Sequence, residues 1–254
     1  MNTLFIGKNV LFLPEVESTN TYAINLLRNV NLVDGTIIYT NNQTQGKGQR
    51  GAVWTSEIGK NIMLSVILQP RFLDINKSFY LSKITALACY DVLTEILDSS
   101  HYDIKIKWPN DILVNKKKIG GILIENNLSG NTIHHAVIGI GMNVNQEDFG
   151  DLSLLATSIK LQRDINYNTS MVLESICSKL EKWYFKLKES KLDYINSNYL
   201  SQLYGLHQIH LFIDKNEQEF YAEIISVEEN GKLVLKNATN DLLFFDIKEV
   251  KLII

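Results

Sequence analysis

The sequence predicts an α+β fold: a mixed β-sheet with helices packed on it over residues 1–205, then a small β-barrel over residues 206–254. Three patterns carry that expectation. Short strand-like runs alternate with two amphipathic helical stretches as far as Val144. A helical pattern then runs from Ile159 to about Leu203. After Tyr204-Gly205 the apolar period drops to two and stays there.

Residues 10–13 (VLFL) read as a short strand. Ser18-Thr19-Asn20 offers a helix N-cap, and Tyr22, Ala23, Ile24, Leu26 and Leu27 follow with helical spacing. Asp34-Gly35 is a turn before the β-branched run 36–40. The polar segment NNQTQGKGQRGAVWTSEIGKN has no apolar periodicity until Trp54 and reads as a long loop, a length usually tied to function or disorder. Residues 62–68 are a strong strand, and residues 78–98 are the clearest amphipathic helix. Ile104-Lys105-Ile106-Lys107 alternates as a strand does. Residues 112–114 and 119–125 flank a lysine-rich hairpin turn, and residues 135–144 form a further strand punctuated by glycine. In the helical stretch, Met171, Leu173, Ile176, Leu180, Trp183 and Leu187 make one stripe. Five short strands in the last 50 or so residues suggest the barrel.

Composition narrows the function classes. The chain has 254 residues, enough for one large domain plus a small one, and a net charge of −3. That charge gives no global attraction to DNA or to an anionic membrane. No apolar run approaches the ~20 residues of a bilayer span, and the N-terminus has no signal-peptide pattern. Cys89 and Cys177 sit in apolar helical surroundings without metal-ligand spacing, which points to reduced thiols and a cytoplasmic protein. His134, His135, His207 and His210 complete no zinc set.

Four segments could carry chemistry. Gln45-Gly46-Lys47-Gly48-Gln49-Arg50-Gly51 combines glycines that let backbone N–H groups approach an anion with two cations. It is neither a phosphate-binding Walker loop nor a dinucleotide fingerprint, and alone it reads equally well as a flexible basic loop. In Lys107-Trp108-Pro109-Asn110-Asp111, an aspartate at the mouth of a strand suits Mg²⁺ beside phosphates, although Pro-Asn-Asp turns are common. Lys118 opens the strand IGGILIE, where Gly120 and Gly121 suggest close approach of another group. Gly139-Ile140-Gly141-Met142-Asn143 could shape an apolar slot, or be a bulged strand.

Taken in order, Ser18-Thr19-Asn20, the QxGKGQRGxxW loop, GKNIMLSVIL, KWPNDILVNKKKIGGILIE and IGIGMNVN resemble the biotin–protein ligases over roughly residues 10–145. The resemblance implies the mixed-sheet catalytic domain and an SH3-like C-terminal barrel, for which Asn230-Gly231-Lys232-Leu233 is the looser match. It implies ATP and biotin as substrates, Mg²⁺, and a biotin carboxyl carrier protein or domain as partner. Ser18, Thr19 and Gln43, beside Asn20, would bind the ureido ring. Gly121, Leu123, Gly139 and Gly141 would line the slot for the bicyclic body and valeryl chain. Gly46, Lys47, Gly48 and Gln49 would close over the carboxylate and adenylate. Lys118 would touch the carboxylate and α-phosphate, acting catalytically with Lys47 and Arg50; Arg50, Trp54 and Asn143 would serve the nucleotide, and Asp111 the metal.

Two departures stand out. The family loop usually reads GRGRRGR, whereas here Gln49 and Ala52 replace charged positions. Only about ten residues precede the first strand, which leaves no room for the helix-turn-helix of repressor-type members and points to the class without one. DNA and membrane are not expected partners, and a homodimer is left open. The rival readings are lipoate ligase, lipoyl or octanoyl transferase, and a non-catalytic biotin-binding regulator. The transferase needs a nucleophilic cysteine, for which Cys89, mid-helix in an apolar run, is a poor candidate.

Overall fold

The computed structural model describes residues 1–253, with Arg50 described for its backbone alone. The N-terminal part is a seven-stranded sheet in the order β1-β2-β3-β7-β6-β5-β4. Its strands are β1 (Val10–Leu13), β2 (Ile37–Thr40), β3 (Ile62–Leu68), β4 (Ile104–Lys107), β5 (Asp111–Val114), β6 (Lys117–Ser129) and β7 (Thr132–Met142). Only β1 and β2 pair in parallel, and α1 (Thr19–Leu27) supplies the crossover that a parallel pair needs. Every other neighbouring pair is antiparallel.

Helices cover both faces. On one, Ala23 of α1 packs with Ile38, Ile67 and Val137. On the other lie α2 (Phe79–Ile96) and α4 (Thr169–Lys188), with the short α3 (Ile159–Arg163) and α5 (Leu192–Ser201) beside them. This arrangement explains why IMLSVIL is apolar on both faces apart from Ser65: β3 is buried at all seven positions because both its faces are covered. The helical stretch expected from Ile159 onward is broken into three by left-handed residues, Asp164 (φ 53) and Ser190 (φ 56). One stripe position is corrected: Met171 is 71% exposed at the first turn of α4, while Leu173, Ile176, Leu180, Trp183 and Leu187 are buried.

The C-terminal part is a five-stranded antiparallel sheet in the order β11-β10-β9-β8-β12, formed by β8 (Ile209–Asp214), β9 (Glu219–Val227), β10 (Leu233–Lys236), β11 (Leu242–Phe245) and β12 (Val250–Leu252). Its core residues Phe212, Ala222, Ile224 and Leu235 belong to the same apolar cluster as α2 and α4. The two sheets therefore share buried surface. The lysine-rich hairpin between β5 and β6 turns on two residues, Asn115 (φ 50) and Lys116 (φ 66), with Val114 paired to Lys117. Two successive left-handed residues match the twist of the flanking strands.

Candidate active site

A cleft of about 340 Å³ opens where the first turn of α1, the glycine loop, strands β5 to β7 and the end of β12 meet. Its first wall is fixed by hydrogen bonds. Ser18 caps α1, its Oγ accepting from Thr21 N at 3.4 Å. Gln43 Oε1 accepts from Thr19 N at 2.8 Å and from Thr19 Oγ1 at 3.2 Å, which leaves the Gln43 amide nitrogen to donate into the cleft. Asn20 Nδ2 donates to Leu123 O at 3.1 Å and to Glu125 Oε2 at 2.9 Å. Its Oδ1 accepts from Ser65 Oγ at 2.6 Å, and Ser65 Oγ also lies 2.7 Å from Thr19 Oγ1.

The floor is shaped by missing side chains. A Cβ on Gly139 would stand 2.5 Å from Asn20 Oδ1, and one on Gly141 would stand 2.5 Å from the Trp54 ring. Those two glycines let Asn20 and Trp54 lie flat on the sheet, which gives the alternating pattern of β7 its physical purpose. The Trp54 indole N–H is buried without a partner, an orphan donor at the cleft wall.

The far end is cationic, and the string KWPND explains itself residue by residue there. Lys107 lines the cleft, its pKa held below the usual lysine value by burial, opposed by Asp111 and reinforced by the Lys118 and Lys251 cations. Trp108 is buried, with its indole N–H donating to Gly231 O at 2.9 Å, and its bond to Pro109 is cis. Asn110 is held to β6 twice, by Nδ2 to Ile122 O at 2.8 Å and by its carbonyl from Ile122 N at 2.9 Å. Asp111 receives Lys118 Nζ at 2.6 Å, and that ammonium also sits 5.8 Å from the Trp54 ring centroid. Lys116 lies exposed in the turn, and Lys117 Nζ reaches Ser153 O at 3.1 Å.

The glycine loop departs from the irregular segment expected. Lys47 bridges to Val53, Gly48 N donates to Ala52 O at 2.7 Å, and Trp54 N donates to Gly46 O at 2.9 Å, around a 3₁₀ turn at Gln49–Gly51. It is a small closed hairpin whose residues Lys47, Gly48 and Gln49 line the cleft.

Most of the residues singled out in the sequence thus share one cleft: Ser18, Thr19, Asn20, Gln43, the loop residues 47–49, Trp54, Asp111, Lys118, and the β6 and β7 positions Gly121, Leu123, Gly139 and Gly141. Gly46 is buried beneath the wall, against Trp54 and Gln43. Asn143 is not brought to the cleft. It is buried behind β7, with Nδ2 donating to Thr157 O at 3.0 Å and its carbonyl accepting from Ile159 N. The Arg50 side chain lies outside the described residues. Ser65 and Lys251 went unread in the sequence, and Lys107, named in the KWPND segment, was given no role of its own. Ser65 had a signal, since a hydroxyl inside an apolar strand must find partners. Lys107 had one in the alternation of IKIK, which buries Ile104 and Ile106 and turns the lysines the other way. Lys251 had none: β12 reaches the cleft only through the docking of the C-terminal sheet.

Comparison with known proteins gives the chain a family and its fold a counterpart. The Biotin/lipoate A/B protein ligase family matches residues 12–143. The bifunctional ligase/repressor BirA of Bacillus subtilis (strain 168) is 30% identical over 245 residues, covering 93% of this chain and 72% of that protein. A biotin–[acetyl-CoA-carboxylase] ligase of Paracoccus denitrificans is 33% identical over 132 residues, 52% of this chain and 53% of its own. Among solved structures, the biotin protein ligase of Aquifex aeolicus in complex with biotin and ATP shares the fold with a TM-score of 0.79 at 24% identity, covering 96% of this chain and 98% of that one. With a family match over half the chain and a 30% identical relative covered over 72% of its length, the chain belongs to the biotin/lipoate A/B protein ligase family.

Proposed function

We propose that this protein is a biotin–protein ligase, which activates biotin with ATP to biotinyl-5′-AMP and transfers biotin to a lysine of a carrier protein or domain in the cytoplasm. One observation carries the reading: a single cleft joins a glycine-floored slot with polar walls to a cationic end, where Lys118 pairs with Asp111 and Lys107 stands among Asp111, Lys118 and Lys251. The slot's polar walls suit the ureido group of biotin. Gln43 keeps a donor free there, with Thr19 and Ser18 beside it. The dithiolane of lipoate offers such walls nothing to hydrogen-bond.

The chemistry follows from the charges. A carboxylate does not acylate an amine in water. Its oxygen must first displace pyrophosphate from the α-phosphorus of ATP, forming the carboxyl–phosphate bond as the α–β bridge breaks. Two anions must meet for that, and Lys118 and Lys107 supply fixed positive charge where they would meet. Mg²⁺ would arrive with the nucleotide. Asp111 is the one carboxylate among the described lining residues, which fits a metal held by phosphate oxygens plus one protein ligand rather than a resident ion. In the second step the acceptor amine attacks the acyl carbon, the C–N bond forms, and AMP leaves with the electron pair of the C–O bond. The glycine hairpin, with Lys47 and Arg50, would close over the mixed anhydride and keep water from it. The family also includes enzymes that use a cysteine nucleophile as an alternative chemistry. Burial pushes the Cys89 thiol up to about 12, which removes it as one.

The test is acid-dependent pyrophosphate release with ATP and Mg²⁺. Biotin drives it and lipoate does not; release driven equally by lipoate would overturn the reading. Relatives named biotin–[acetyl-CoA-carboxylase] ligase point to a biotin carboxyl carrier domain as the acceptor to supply in the second step.

A further inference from the structure

Lys83 has no part in the chemistry above, yet it is fully buried in the middle of α2. Its ammonium donates to Asn196 Oδ1 of α5 at 2.7 Å and to the carbonyls of Val227 and Glu228 at 3.3 Å each. Three aromatic rings surround it, with Tyr80 at 4.8 Å, Tyr199 at 5.6 Å and Phe79 at 5.9 Å from Nζ to centroid. A lysine is rarely buried without a purpose that outweighs its desolvation.

Its backbone acceptors lie at the end of β9 and the start of the turn to β10, which the catalytic part holds at further points. Trp108 Nε1 donates to Gly231 O at 2.9 Å. Gly231 sits at φ +91, and a Cβ there would stand 2.5 Å from the Phe79 ring. Only glycine permits both the conformation and that approach. Tyr80 Oη donates to Glu229 at 3.3 Å, and Lys77 pairs with Glu229 at 3.7 Å. The turn is thus a wedge seated between α2 and the KWPND segment. Through β9 and β8 it sets the placement of β12, which brings Lys251 to the cationic end of the cleft.

We propose that Lys83 is a positioning residue for ATP: by gripping the β9–β10 turn it docks the C-terminal sheet so that Lys251 reaches the polyphosphate. The inference rests on the ligase reading. Lys83 does not line the cleft, and the Thr19, Asn20, Ser65 and Gln43 bonds of the biotin slot do not involve the C-terminal sheet. The docking should therefore matter to one substrate and not to the other.

The experiment measures biotin- and ATP-dependent pyrophosphate release for the full chain and for Lys83→Met, Gly231→Ala, Lys251→Ala and Lys83→Met/Lys251→Ala. Lys83→Met keeps the length of the side chain while removing its charge, and Gly231→Ala disturbs the same wedge from the other side. The expected result is a KM for ATP raised about ten-fold in each single variant, with the KM for biotin within two-fold of the parent. The double variant is then no worse than Lys251→Ala. Equal rises in both KM values would mark a general loss of fold and overturn the proposal, as would unchanged values. Multiplied effects in the double variant would show that Lys83 does not act through Lys251. A parent enzyme without biotin-dependent release would sink the ligase reading itself. A parent that releases pyrophosphate beside variants that show no split sinks only the role of Lys83.

Discussion

Two walls of the cleft are built in different ways. The wall of Ser18, Thr19 and Asn20 is tied to β2–β3 and β6 by hydrogen bonds donated to the Gln43 and Glu125 side chains and accepted from Ser65, and its residues are nearly inaccessible. Beyond Gln45, whose N–H donates to Glu17 O, the wall of residues 46–53 is held by the backbone of its own hairpin, and Lys47 and Val53 stand exposed. The first can recognise a ligand without rearranging, because its donors and acceptors are fixed before binding. The second has little apolar anchorage and can move at low cost. A ligase that makes a hydrolysable intermediate needs both: a fixed site to select the acid, and a movable cover to keep water out once the adenylate has formed.

The largest effect lies between the walls. Lys118→Ala removes the ammonium held at 2.6 Å from Asp111 and should slow adenylation on the order of 10²–10³-fold, by analogy with losing one donor to a developing charge. Lys116→Ala and Lys117→Ala should stay near the parent rate, since one is exposed in the turn and the other is spent on Ser153 O. Single-turnover rates of the three variants check this. Equal rates would remove Lys118 from the reaction and leave the cleft without its assigned centre.

The next effect tests whether the first wall is in fact preorganised. Ser65→Ala leaves Asn20 Oδ1 buried without its donor and frees the Thr19 hydroxyl. Losing a buried partner costs ~1–3 kcal/mol. If the wall must be in place before biotin arrives, biotin binding measured by calorimetry should weaken by roughly ten-fold on that energy scale. Adenylate release should barely change, because that belongs to the other wall. Unchanged biotin affinity would mean that the network is scaffolding only.

The unequal legibility of the two walls in the sequence has a physical basis. Local patterns gave the strands, the helices and the glycine positions, because burial on one or two faces writes itself into periods of two and 3.6. Gly139 and Gly141 were readable as a slot because something had to lie against them. Asn143 looked like a ligand-facing amide. Whether the amide of a residue just past β7 turns to the cleft or to Thr157 depends on a segment fourteen residues away, which no local pattern records. Lys251 and the Lys83 clasp depend on how a second sheet docks, and Met171 on where α4 begins to touch the core. Those are long-range outcomes.

Alkaline pH should separate the rigid body from the loop. Burial pushes the thiols of Cys89 and Cys177, and the phenol of Tyr80, up to about 12 from ordinary values of 9.0 and 10.0. The folded protein then keeps protons that the unfolded chain releases from about pH 9 upward, so stability falls as pH rises through that range. Lys83 acts in the opposite sense. Burial pulls it down to about 8 from 10.5, so its contribution grows between those values. Burial also raises the phenols of Tyr184, Tyr199, Tyr90 and Tyr204, and lowers Lys107 as it does Lys83. The groups that lose stability outnumber those that gain it, and Tm should fall by several degrees between pH 9 and 11. A flat profile would show that these groups reach water without unfolding. Amide exchange of residues 45–52, corrected for its intrinsic pH dependence, should be unaffected by the first part of that fall.

The smallest effect concerns the cover itself. Gln49 lines the cleft half-buried, at a position where the resembled loop carries a cation. A charge-assisted hydrogen bond is roughly twice as strong as a neutral one, so Gln49→Arg could hold the adenylate phosphate more tightly. That gain appears only if the site is short of charge. Lys118 and Lys107 already stand at the far end of the cleft, and Arg50 follows Gln49 directly in a loop flanked by glycines. An enzyme that leaked its mixed anhydride would spend ATP to modify stray lysines, so the lost cation should already be replaced. Release of biotinyl-AMP from preformed complex should then change by no more than about two-fold in Gln49→Arg, a fraction of one hydrogen bond's worth. In Arg50→Ala it should accelerate clearly. The reverse pattern, a slow Gln49→Arg and an unchanged Arg50→Ala, would mean that the cover works without a cation at Arg50. Retention would then come from the hairpin's closure rather than from its charge.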